Sequence, residues 1–370
     1  MKRAHKIRIY PNNVQRTALL SHCGCARLAY NVCLAKWNAD YANGITHNYY
    51  TIKKWFNSIK RMEYPFMYEV SKWAAEAAIA DLGSAFGKFF GKQNAHPTFH
   101  KKGVRDSFRI DGSVVKIDGN KLYLPKGLCL RMAETLRYEP KKIYNVTISK
   151  TADRWFASIQ CEVPEKRPEE TGGDQREPFF PKGKIMSENQ AEGAVGIDLG
   201  ISQHATLSDG TVFENIRLEQ KHRRKLARAQ RNLHRKHKGG KNRRKAQKRL
   251  STIYWRIVNK RNDNIHKFTS AVASVYAIVC LEDLNVTGMV KNRSLSKAVA
   301  DAAFGETARQ FEYKAKETRY VGRFEPTTKQ CCECGRLHNM PLHKRRMKCE
   351  CGNDKDRDHN AAINILRKAV

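Results

Sequence analysis

The chain has 370 residues, enough for two or three domains with more than one core, and its 70 Lys and Arg against 36 Asp and Glu leave a formal charge of +34. A field of that size attracts polyanions with strong salt dependence, which favours nucleic acid as the partner over a merely solvated basic surface. The eleven cysteines show no disulfide framework, the basic start Met1 to Arg8 has no apolar core, and no run reaches membrane-spanning length. These features argue against a secreted scaffold or a membrane protein and for a reducing cytoplasm.

Lys6-Ile7-Arg8-Ile9-Tyr10 alternates polar and apolar residues as a strand does, and Pro11 closes it. Asn12 or Asn13 can cap a helix through Gln15, Leu19, Leu20, Cys23, Leu28 and Val32. Helical periodicity returns over Ile52 to Ile59. It appears again from Val70 through Trp73, Ala77, Leu82, Phe86 and Phe89, so residues 11 to about 93 are expected to be all-helical. Past His96-Pro97 the pattern shortens. Ser107 to Gly112, Val114 to Ile117 and Leu122 to Leu124 are broken by Asp-Gly turns, and Tyr144 to Ser149 with Trp155 to Val163 makes another pair. These strands predict a small β-barrel-like unit whose missing member is the strand at residues 4–10, with the helical block inserted between. Pro164 to Gly193, rich in Pro, Glu, Gly, Lys and Gln, reads as a linker.

Ala194 to Gly200 is an apolar strand carrying one acid, Asp198, and His204 to Leu207 with Thr211 to Phe213 completes a three-stranded meander. An unpaired carboxylate in a buried strand costs several kcal/mol, so Asp198 is expected to hold a cation. Arg217 to Arg261 contains nineteen Lys or Arg and one acid, Glu219. The sparse apolar stripe Leu218, Leu226, Ala229, Leu233, Ala246, Leu250 and Ile253, interrupted at Gly239-Gly240, predicts a helical pair that clamps phosphates. Val275 to Leu284 is a second buried strand. Its alternation puts Glu282 on the face opposite Val279 and Leu281. Residues 297–317 read as one helix leading to a short strand, Tyr320 to Phe324.

Cys331-x-x-Cys334 with Cys349-x-Cys351 has the spacing of a structural zinc knuckle, each pair followed by a glycine that lets the backbone turn beneath the metal. Cys332 competes with Cys331 as the first ligand. Immediately beyond, Asp358 opens an apolar-periodic run, Ala361, Ala362, Ile365 and Leu366, expected to be a short helix. Asp198, Glu282 and Asp358 thus stand at strand or helix ends without nearby His or Cys, a set suited to Mg²⁺ or Mn²⁺. With two ions about 4 Å apart, a water is activated and a leaving 3′ oxygen stabilised in phosphodiester attack. Asp198 is then the bridging acid, and Glu282 and Asp358 the flanks. Asp283, Asp301, Asp354 and Asp356 read as surface or capping acids.

The order of Gly196-Ile197-Asp198-Leu199-Gly200, Leu281-Glu282-Asp283-Leu284, Tyr313-Lys314-Ala315, the two cysteine pairs and Asp356-Arg357-Asp358-x-Asn360-Ala361-Ala362-x-Asn364-Ile365 closely resembles TnpB. That family comprises insertion-sequence-encoded, RNA-guided DNA endonucleases related to type V CRISPR effectors. The resemblance implies a multidomain α+β chain. Residues 1–10 and 104–165 would form a wedge β-barrel split by a helical recognition domain over 11–103, with a linker over 166–193. Residues 194–325 and 355–370 would form an RNase H-like RuvC nuclease containing the basic segment 217–261. A zinc-binding target nucleic-acid-binding domain would cover 326–354. It further implies catalytic acids at Asp198, Glu282 and Asp358, Mg²⁺ (or Mn²⁺) as cofactor, one structural Zn²⁺, a guide RNA from the transposon end and target DNA as partner; the oligomeric state is left open, with a monomer favoured. The second pair departs from the family's commoner Cys-x-x-Cys. A nuclease-inactive RNA-guided repressor and a transposase acting directly in strand transfer are the rival readings. In that family the helical domain and the wedge barrel grip the duplex flanking the target. Here Lys72 and Glu76, at i and i+4, share a helix face and can offer a donor and an acceptor to base edges, unless they form an ordinary surface pair. Arg223, Arg224, Arg228, Arg231, Arg235, Arg243 and Arg244 are the expected phosphate contacts.

Overall fold

A computed structural model describes residues 2–137, 139–163, 193–341 and 343–370. Apart from Gly193, the linker assigned to 166–193 lies outside them. The chain forms two compact units, Met1–Gly173 and Asp174–Val370.

In the first unit, β1 (Lys2–Ile9) leads to α1 (Asn13–Ala42), α2 (Tyr49–Glu63) and α3 (Lys72–Phe90). Asn12 is the cap of α1: its side chain accepts from the Gln15 amide at 2.8 Å, while Gln15 Oε1 accepts from the Asn12 amide at 2.9 Å. Short strands follow: β2 (Ser107–Asp111), β3 (Lys116–Asp118), β4 (Lys121–Leu124), β5 (Leu128–Arg131), β6 (Lys142–Thr151) and β7 (Arg154–Glu162). They make one sheet in the order β1-β7-β6-β2 and another in the order β3-β4-β5. The alternation of β1 turns Ile7 and Ile9 into the core shared with Ile110, Leu130, Ile148 and Ile159. The end of β1 also reaches the second sheet, because the Tyr10 amide donates to the Arg131 carbonyl at 2.9 Å and the Ala133 amide to the Arg8 carbonyl at 2.8 Å. The helices keep their own core around Trp37, Phe56, Leu82 and Phe86, with Trp37 stacked on Phe86 at 4.2 Å.

In the second unit, β8 (Ala194–Leu199), β9 (Gln203–Leu207) and β10 (Val212–Glu214) form the meander, followed by α4 (Leu218–His234), α5 (Lys241–Val275) and β11 (Ile278–Glu282). Then come α6 (Val286–Lys291), α7 (Ser296–Ala302), α8 (Phe304–Lys314), β12 (Glu317–Val321), β13 (Arg346–Lys348), β14 (Asp354–Asp356) and α9 (Arg357–Ala369). The sheet order is β10-β9-β8-β11-β12. β9 runs antiparallel to its neighbours, whereas β11 is parallel to both β8 and β12.

Three expectations are corrected. The strand expected over Val275 to Leu284 spans only Ile278–Glu282, because Val275 still belongs to α5. The helix expected over 297–317 breaks at Ala303, whose φ of 54° is left-handed, giving α7 and α8. The strand expected at 320–324 begins instead at Glu317 and ends at Val321, because those residues pair with Ile278 to Glu282. The basic stretch does fold as two helices. Gly239 supplies the left-handed turn between them with φ 87°, and Leu218, Leu226 and Ile257 pack the pair together with Leu250 and Ile253. The second arm extends beyond the basic run to Val275, where Phe268 and Val272 join the sheet core. No described helix is long and apolar enough to cross a membrane.

Candidate active site and metal knuckle

The sheet register brings the first two acids together. Val279 pairs with Val195 and Leu281 with Ile197, and these four side chains point into the core beside Phe268 and Phe311. Alternation then turns the next residues, Asp198 and Glu282, to the opposite face at the same end of adjacent parallel strands. Helix α9 crosses that face. Gly196 lets it approach, since a Cβ there would lie 2.1 Å from the Ala362 carbonyl oxygen and 2.6 Å from the Leu366 amide. Asp356 caps α9 by accepting from the amides of Asp358 at 2.9 Å and His359 at 3.4 Å, so Asp358 sits in the first turn.

Electrostatics tie the three acids into one site. Burial first, then the charges of Glu282 and Asp358, push the half-buried Asp198 carboxyl up to about 8, with Arg357 opposing the shift and Asp356 adding to it. Arg357 donates to Asp358 through Nε and Nη2, both at 3.1 Å. A buried carboxyl whose proton affinity is raised by two neighbouring acids fits a divalent cation, which would replace the proton with two positive charges.

Sequence reasoning missed what holds these acids. The buried Thr327 hydroxyl donates to Glu282 Oε1. Two asparagines one turn apart on α9, Asn360 and Asn364, are also buried and reach across to the segment between β12 and the knuckle. Asn364 donates to the carbonyls of Thr327 and Gln330 at 2.7 Å, and Asn360 donates to Gln330 at 2.7 Å while accepting from the Cys332 amide at 2.9 Å. Polar residues at i and i+4 within an otherwise apolar helix face were the available signal.

In the knuckle the sulfurs of Cys331, Cys334, Cys349 and Cys351 all lie within 4.8 Å of one another. Cys331 and Cys351 are 3.6 Å apart, and Cys334 and Cys349 are 3.5 Å apart. Tetrahedral zinc with bonds of about 2.3 Å separates its sulfurs by about 3.8 Å, whereas a disulfide requires about 2 Å, so the spacing suits zinc. Gly335 and Gly352 adopt φ of 76° and 90°, the turns expected of them. Cys332 is buried outside this cluster, with Asn353 Nδ2 3.7 Å from its sulfur. Burial opposes ionisation of Cys331, but hydrogen bonds from the Cys334 backbone, from Asn353 Nδ2 at 3.2 Å and from the Glu333 backbone outweigh it and bring the thiol down to about 6. His338 Nε2 lies 3.2 Å from Cys349 Sγ, a neighbour the cysteine spacing did not reveal.

The remaining candidates divide. Glu76 pairs with Lys53 of α2 at 3.0 Å, while Lys72 extends over the Trp73 ring at 5.2 Å. Arg223, Arg224, Arg228, Arg231, Arg235 and Arg244 are exposed along the helical pair. Arg243 is half-buried and donates to the carbonyls of Leu233 and Lys236, both at 3.0 Å, closing the end of α4. Asp301 is a half-buried capping acid that accepts from the Glu219 amide at 3.0 Å and stands 3.6 Å from Arg261.

Comparison with known proteins decides the family. A protein of Streptomyces pristinaespiralis named "Putative RNA-guided DNA endonuclease" is 33% identical over 99% of this chain and 89% of its own length. The chain belongs to the TnpB family. InsQ of Escherichia coli (strain K12), with the same name, is 30% identical over 99% of the chain and 92% of its own. A family described as "Probable transposase" matches residues 158–293, and a Cas12f1-like TNB domain matches 304–365. A helix-turn-helix domain family matches 1–46, folded here as β1 and the single long helix α1. A cryo-EM structure of CasPhi-2 (Cas12j) bound to crRNA superimposes with a TM-score of 0.48 at 8% identity over 100% of this chain and 98% of its own, too loose a likeness to add to the argument.

Proposed function

We propose that the chain is an RNA-guided DNA endonuclease of a transposable element. It takes a guide RNA from the transposon end and cuts DNA beside a short flanking motif by metal-dependent phosphodiester hydrolysis. The observation that carries this reading is the meeting of Asp198, Glu282 and Asp358 from β8, β11 and α9 at one end of a mixed sheet. The sheet order, three antiparallel strands continued by two parallel ones, supports an RNase H-like nuclease of RuvC type. In this reading 194–325 and 355–370 form the nuclease, 326–354 the zinc-bearing target-binding domain, 1–10 with 104–165 the wedge, and 11–103 the recognition domain. The chain works as a cytoplasmic monomer.

Two Mg²⁺ or Mn²⁺ ions bound among the acids would supply the charge that activates a water and stabilises the departing 3′ oxygen. Asp198, whose carboxyl feels the charges of both other acids, would be the residue to serve both cation positions. Glu282 and Asp358 would each hold one flank, and Arg357 offsets part of the negative charge around Asp198. Cys331, Cys334, Cys349 and Cys351 hold a structural zinc, which stabilises the segment docked on α9.

The test is to purify the chain with its RNA, sequence that RNA, and offer a matched plasmid with Mg²⁺ or with chelator. Cleavage is expected only with metal. Asp198→Ala, Glu282→Ala and Asp358→Ala should each abolish it while RNA binding persists. Absence of a discrete RNA, or near wild-type cutting by two of the three variants, overturns the reading. The "Probable transposase" description of the family matched at 158–293 keeps strand transfer as a second reading. Joined strands among the products, in place of free ends, would favour it.

A further inference from the structure

We propose that Thr327 is the positioning residue for Glu282: its hydroxyl holds the carboxylate in the orientation that serves a cation, and the zinc-bearing segment holds the hydroxyl. The inference rests on the reading of the acid cluster as a cation site. Glu282 ends β11 and reaches out on a side chain with three rotatable bonds, so the strand fixes its Cα but not its carboxylate. Thr327 answers that freedom. Its β-branched side chain is stiff at χ1, it is 3% exposed, and its hydroxyl donates to Oε1 of Glu282. The second carboxylate oxygen makes no hydrogen bond among the described residues, which leaves it to a ligand.

The position of Thr327 is itself fixed from both sides. Its carbonyl accepts from Asn364 of α9 at 2.7 Å, and its amide donates to the Glu325 carbonyl at 2.8 Å. Next to Glu282, Asp283 accepts from Arg323 at 2.9 Å, so both ends of the connection from β12 to the knuckle are tied to the end of β11. Four residues beyond Thr327 comes Cys331, whose sulfur accepts from Asn353, and Asn353 in turn donates to Asn360 of α9 at 3.2 Å. A hydrogen-bonded path therefore runs from the thiolate cluster through α9 and Thr327 to the Glu282 carboxylate. Such partners of a ligating carboxylate typically account for about tenfold to hundredfold in metal affinity.

The experiment titrates Mn²⁺ into the full chain, freed of nucleic acid at high salt, and follows free Mn²⁺ by electron paramagnetic resonance. The acid-site component is defined as the binding that Asp198→Ala removes. Thr327→Val, which keeps the shape and removes the donor, should weaken that component about tenfold or more with zinc content and guide RNA binding unchanged. Thr327→Ser should restore it. In cleavage, the valine variant should need more metal yet reach the wild-type plateau, which a folding defect would not allow. Equal Mn²⁺ affinity in Thr327→Val and wild type, or no rescue by serine, overturns the assignment and leaves the nuclease reading standing. Absence of any Asp198-dependent binding in the wild type overturns both.

Discussion

Asp198 is the residue where function and stability pull apart. Its carboxyl is raised by burial and by two neighbouring acids to about 8 in the native chain, against about 3.9 when unfolded. The native state thus holds this proton to a higher pH than the unfolded state does. The stabilisation is complete below about pH 4 and is lost as pH rises through about 8. Without divalent metal, Asp198→Asn should therefore melt above wild type near pH 8, by about 3 °C or more, and the gap should close toward pH 4. Mg²⁺ should reverse the order by stabilising the wild type alone. A wild type that melts at the same temperature as Asp198→Asn at pH 8 in chelator would show that the acids do not strain one another. The cysteines separate in the same way. Cys334→Ser and Cys351→Ser should lose zinc, whereas Cys332→Ser, altered outside the sulfur cluster, should keep one zinc per chain by metal analysis.

At the scale of elements, the packing of α9 on β8 decides whether the third acid arrives. A Cβ on Gly196 would overlap the Ala362 carbonyl and the Leu366 amide, both backbone and neither able to swing aside. Gly196→Ala should therefore destabilise the chain by about 3 kcal/mol or more, in the range of severe overpacking, and should reduce cleavage even though every acid remains. A thermal midpoint unchanged from wild type would contradict the packing. The strands carrying Asp198 and Glu282 were legible because apolar alternation fixes which face an acid must take, and Asp358 was legible because it precedes a helical period. Thr327 was not, since its partner lies 45 residues away and only the fold joins them. The Lys72 and Glu76 spacing was equally readable, but the partner of Glu76 was not. Packing of α2 on α3 supplies Lys53, and tertiary proximity outweighs a helical pair worth a few tenths of a kcal/mol.

For the whole molecule the governing quantity is the charge of +34 and its concentration in one helical pair. Nineteen cations with one acid over 217–261 repel one another, and the slim apolar seam of Leu218, Leu226 and Ile257 must hold the two arms together against that repulsion. Bound polyanion should therefore stabilise this pair more than any other part of the chain, seen as slowed hydrogen exchange across 218–260 on adding guide RNA. Within the pair, exposed and engaged arginines have different expected effects. Arg223, Arg224, Arg228 and Arg231 are exposed on α4, so changing all four to Gln should weaken guide RNA binding and flatten its salt dependence, by up to about 0.7 to 0.9 in slope for each phosphate left without its arginine. Arg243 closes the end of α4 through two backbone carbonyls, so Arg243→Gln should loosen the pair more than it flattens the slope. Neither change touches a base edge, and both should leave the preferred flanking motif intact. If Lys72 and Glu76 read that motif, Lys72→Ala and Glu76→Ala should redraw it at little cost in overall affinity. A library randomised beside the target, cut by wild type and by each variant, separates the two classes. A motif shifted by the α4 changes would make those arginines readers of sequence, whereas a motif unmoved by Lys72→Ala and Glu76→Ala would return that pair to the helix surface, with Glu76 serving only its bond to Lys53.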